Sequence, residues 1–157
     1  MFGGPWNREL MTDEEPTQCL NVDLDVWSAA PLEPLVEAFG KKVFVLYVGK
    51  ERQRTYGAHL EISAVAYHAN ADRLIRRFVQ LIDALSPKAR RMWNTAQRRE
   101  FNIGIQAAMK PHAFELRLQP ETLVAAARVN GRIVVTVYAP DLSQPQATRA
   151  RTKRARR

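Results

Sequence analysis

The chain has 157 residues, 46% of them hydrophobic and 25% charged, with a formal net charge of +8 and one cysteine, Cys19. That is an ordinary globular composition. No apolar run nears the roughly 20 residues a membrane-spanning helix needs, and a lone cysteine excludes an intrachain disulfide and a cysteine-based zinc site. The opening residues lack the basic-then-apolar pattern of a secretory signal, so a reducing, cytoplasmic setting is the expectation.

Residues 1–18 mix glycine, proline and acids without a period and read as a loose arm. From Cys19 to Trp27 the pattern alternates strictly. Leu20, Val22, Leu24 and Val26 face one way and Asn21, Asp23 and Asp25 the other, which makes a strand with one buried face. Pro31 and Pro34 then open a short helix through Leu32, Leu35, Val36 and Phe39, stopped by Gly40. Lys42–Val48 is apolar on both faces, the mark of an interior strand. Tyr56–Tyr67 alternates again and forms a hairpin with it.

The longest amphipathic pattern follows. Asn70 caps a helix whose stripe is Leu74, Ile75, Phe78, Val79, Leu81, Ile82 and Leu85. Ser86-Pro87 closes it and opens a second helix anchored by Met92, Trp93 and Ala96. Phe101, Ile103, Ile105 and Ala107 alternate as a strand, with Phe114, Leu116 and Leu118 as its partner beyond Lys110-Pro111. Pro120 begins a third short helix ending at Asn130-Gly131, and Arg132–Tyr138 is a last strand, again apolar on both faces. The order βαββ–αα–ββαβ predicts an α+β fold. Its single, mostly antiparallel sheet has about six strands, with helices packed on one face. The domain spans residues 19–140, and residues 141–157 form a basic tail too polar to bury a core.

The positive charge is local. Residues 1–72 carry 6 Lys/Arg against 11 Asp/Glu, and residues 100–148 balance at 4 against 4. The excess lies in Arg73, Arg76, Arg77, Lys88, Arg90, Arg91, Arg98 and Arg99, opposed only by Asp83, and in the tail residues Arg149, Arg151, Lys153, Arg154, Arg156 and Arg157. Such blocks are candidate phosphate or partner contacts. An RNA-recognition fold is rejected, because Arg54–Glu61 lacks two of the three stacking aromatics and Asp23, Asp25 and Glu61 would repel phosphate.

Asp23 and Asp25 project to one side of a strand, roughly 7 Å apart, a spacing that could serve a cation or acid–base work. A solvated sheet face explains them more simply. His59, His68 and His112 have no metal-ligand spacing, and no nucleotide-loop, nucleophile-elbow or deaminase motif is present. Cys19 has no basic neighbour to activate it. Nothing supports an enzyme, and neither a cofactor nor a metal is expected.

Leu24–Phe39, Ile82–Gly104 and Phe114–Tyr138 resemble a family of small uncharacterised bacterial α+β domains of unknown function. The resemblance covers roughly residues 20–139 and rests mostly on core and capping positions. It implies a shared fold, no established activity and a role as an immunity or interaction partner, with no catalytic residue to carry over. The expectation is therefore a non-enzymatic interaction module whose partner is a protein. One alternative is a nucleic-acid-associated protein using the tail and the Arg73–Arg99 helices. The other is a hydrolase or metal enzyme at Asp23/Asp25.

Overall fold

Alternating valines and leucines set the central strand. Val22, Leu24 and Val26 are fully buried on one face of β1 (Gln18–Ser28), while Asn21, Asp23, Asp25 and Trp27 take the other. The computed structural model describes residues 16–63 and 70–140, so most of the N-terminal arm, the whole tail and His68 lie outside the described residues. Beyond β1 the elements are α1 (Glu33–Phe39), β2 (Val43–Arg52), β3 (Thr55–Ile62), α2 (Ala71–Asp83), α3 (Pro87–Thr95), β4 (Arg98–Gln106), α4 (Pro120–Arg128) and β5 (Arg132–Tyr138). The fold is α+β, with one mixed sheet in the order β2-β3-β1-β4-β5.

The helices cover one face of that sheet. Ile75, Phe78 and Ile82 of α2, Leu35 of α1 and Trp93 of α3 meet Val22, Leu24, Leu60, Phe101 and Ile103 in one core, with the Phe78 and Phe101 rings 6.2 Å apart. Local chemistry places the helix ends. The Asn70 side chain accepts from the Arg73 N–H at 3.0 Å, and the Ser86 hydroxyl accepts from Ala89 N–H at 3.3 Å ahead of Pro87. Beyond α4, Asn130 turns left-handed at φ 56°. Gly131 follows so close to the Phe101 ring that a Cβ would clash with it.

Three sequence expectations are corrected. The sheet has five strands among the described residues, because Phe114–Leu118 forms no ladder. This segment crosses from the sheet to the helix layer, and its end is tied to α2, where the Asp72 carboxylate accepts the Gln119 N–H at 2.8 Å. Its apolar alternation still buries Leu116 and Leu118 partly against the core. The sheet is mixed, because α4 is a crossover that brings β5 in parallel to β4. The apolar Lys42–Val48 reads as an interior strand, yet β2 is an edge strand, as is the equally apolar β5.

Candidate functional site

Opposite the helices the second sheet face carries polar side chains from every strand, and no helix covers it among the described residues. A row of contacts crosses this face in strand order. Thr136 Oγ1 on β5 donates to Asn102 Oδ1 on β4 at 2.8 Å, and Asn102 Nδ2 donates to Asp25 Oδ2 on β1 at 3.4 Å. The other oxygen of Asp25 meets His59 Nδ1 on β3 at 2.7 Å, and His59 Nε2 meets Glu51 Oε1 on β2 at 2.9 Å. Register makes this possible, since Asp25 lies opposite His59 on one side and, with Glu100 as its partner on the other, sits diagonally, two residues along, from Asn102.

Glu51 reaches His59 by lying across Gly57, where any Cβ would meet its carboxylate. Its second oxygen accepts from Trp27 Nε1 at 2.9 Å. The Arg98 guanidinium sits 3.6 Å above the Trp27 ring, and an open cleft of about 440 Å³ is lined here by Trp27, Glu51, Arg52, Thr55, Gln97 and Arg98. Burial opposes charge on His59, but hydrogen bonds to Asp25 and then Glu51 outweigh it and raise its pKa. The His59 contact in turn lowers the pKa of Glu51. With both ring nitrogens within hydrogen-bond distance of carboxylates, His59 in its protonated form donates to β1 on one side and β2 on the other.

The expected aspartate pair separates into two environments. Asp25 is 6% exposed and locked in the row. Asp23 shares the Asn21 amide with Glu61, and burial, then the charges of Asp25 and Glu61, push its pKa up to about 6. That corner can hold a proton near neutrality. No group of three His, Cys, Asp or Glu side chains among the described residues has a geometry that would hold a metal ion. Burial also raises the Cys19 thiol pKa, away from the nucleophilic form.

The basic segment does not form one surface. Arg90 donates to the Ile82 carbonyl at 2.7 Å, and Arg99 to the Trp93 carbonyl at 2.7 Å and the Asn130 carbonyl at 3.2 Å, so both close helix C-termini. Arg76 donates to Thr122 Oγ1 at 2.8 Å and pairs with Asp72. Arg98 lies on the opposite sheet face. Asp83, the one acid in the segment, binds Arg128 of α4 at 2.6 Å and Arg90 at 3.4 Å, joining three helices. Arg73, Arg76 and Arg77 line a shallow cavity of about 310 Å³ with Asn70, Leu74 and Gln80. Lys88 and Arg91 are exposed on α3. The six tail cations lie outside the described residues.

The polar row was the feature the sequence concealed. Asp25 and His59 each stood on a polar strand face, but only the pairing register shows that they touch. No family model, no curated protein and no solved structure matches the chain.

Proposed function

We propose that the chain is a non-enzymatic interaction domain, immunity-like in that it works by holding a protein partner. The observation that carries this reading is the state of the two edge strands. Phe44 and Leu46 on β2 are 60% and 47% exposed, and Val135 and Val137 on β5 are 52% and 61% exposed. Two runs apolar enough to read as buried strands stand at the margins of the sheet, where unpaired backbone groups invite another chain. The polar row fits the same reading, since it engages one side chain of each strand with its neighbours and so braces the sheet.

The test is recovery of partners from the protein's own cells with the tagged full chain and three variants. Phe44→Lys/Leu46→Lys and Val135→Lys/Val137→Lys alter the edges, and His59→Gln alters the open face. A stoichiometric protein lost with one edge variant and kept with His59→Gln is the expected result. The same recovery from every form, or none from any, contradicts the reading. The cavity beside Arg73 and Arg77 favours a second reading, association with nucleic acid through these arginines and the tail. That reading requires RNA or DNA binding with a steep salt dependence.

A further inference from the structure

We propose that the outer edge of β2 receives an extended segment of a partner protein with an apolar centre and acidic ends, as a sixth strand of the sheet. This rests on the interaction reading and adds a surface and a partner chemistry to it. Among the described residues nothing pairs with that edge. Four consecutive side chains on it, Phe44, Val45, Leu46 and Tyr47, are 60%, 40%, 47% and 39% exposed. Neither proline nor charge interrupts Val43–Gly49. Edges are commonly blunted by a lysine within the strand or by a bulge. Register irregularities do lie between Val45 and Tyr47 and between Lys50 and Arg52, but Lys50 and Arg52 stand at the end of the strand, outside the apolar run.

Their placement selects the partner. Lys41 and Lys42 precede the run and Lys50, Arg52 and Arg54 follow it, all five exposed. None of these side chains has a hydrogen bond or ion pair among the described residues, and Glu33 and Glu37 on the adjoining α1 do not reach them. The one acid between them, Glu51, is occupied by His59 and Trp27. An apolar strand with exposed cations at both ends complements a strand with anions at both ends. A second copy of this chain fits poorly, since antiparallel β2–β2 pairing sets the Lys41–Lys42 end against the Lys50–Arg54 end, like charge to like. The opposite edge, β5, has exposed valines but only Arg132 as a cation within the strand, so it lacks this selectivity.

The test titrates the isotope-labelled full chain with three capped ten-residue peptides, the length of β2. Each has a valine- and threonine-rich centre. One ends in two glutamates on each side, one in two lysines on each side, and one is the acidic form with a central proline. The proposal requires amide shifts along Val43–Arg52 with the acidic peptide, which binds roughly tenfold tighter than the lysine-ended one at low salt. It also requires that proline abolish binding and that Lys41→Glu/Lys42→Glu/Lys50→Glu reverse the preference. Shifts on β5 or the open face, or binding indifferent to charge, overturn the proposal and leave the interaction reading standing. Silence with all three peptides overturns it too, and the edge-variant recovery above then decides the broader reading separately.

Discussion

Gly57 decides where Glu51 can lie, and through it the state of His59. Because the obstruction is the end of a flexible side chain and not backbone, Gly57→Ala is expected to leave the fold intact and push Glu51 off both His59 and Trp27. The His59 pKa then falls toward its ordinary value, which an imidazole NMR titration reads directly, together with a shift of the Trp27 indole N–H. An unmoved titration in the folded variant would show that Glu51 does not hold the ring. Asp23 makes a second prediction. Its folded-state pKa of about 6 lies above its usual 3.8, so the folded state holds this proton more tightly than the unfolded one. Its contribution favours folding in acid and turns unfavourable as pH rises through that interval. Asp23→Asn keeps an oxygen for the Asn21 amide and removes the charge. It is expected to raise the melting temperature at about pH 7.5 and to change it little near about pH 4. A variant less stable than the parent at the higher pH would contradict the assignment.

Among the elements, α3 is the keystone of the helix layer because its one fully buried large side chain is both packed and bonded. Trp93 is 1% exposed and donates from Nε1 to the Val129 carbonyl at 3.0 Å, while Arg99 closes the end of its helix. Trp93→Ala is expected to cost about 3–5 kcal/mol in chemical denaturation, and a loss below about 1 kcal/mol would contradict a core role. At this scale the sequence was most legible. The caps at Asn70 and Ser86 and the stop at Asn130-Gly131 are local chemistry, so a few residues specify each of them. The edge positions of β2 and β5 were not legible, because apolarity on both faces reports a preference for burial and not which chain supplies the cover. The βα crossover that sets β5 parallel was hidden by the alternation at Phe114, Leu116 and Leu118, which imitates a strand while serving as a packed connection.

For the whole molecule, the polar row explains how a sheet with one face uncovered among the described residues stays in register. Every strand contributes one member, and a one-residue slip of any strand would break the line and bury polar groups among the helices. The row was illegible in the sequence for the same reason that it works: its members come from five segments and meet only through strand order. The two exposed apolar edges are what support the proposed interaction reading. The most direct measurement is site-specific photo-crosslinking of the full chain in its own cells, with the probe placed at Phe44 on β2 or at Arg91 on α3. A discrete protein adduct from Phe44, absent from Arg91, is the outcome expected of an edge-strand interaction domain. Adducts from neither position, or from Arg91 alone, would contradict it and move the search to the arginine-lined helices.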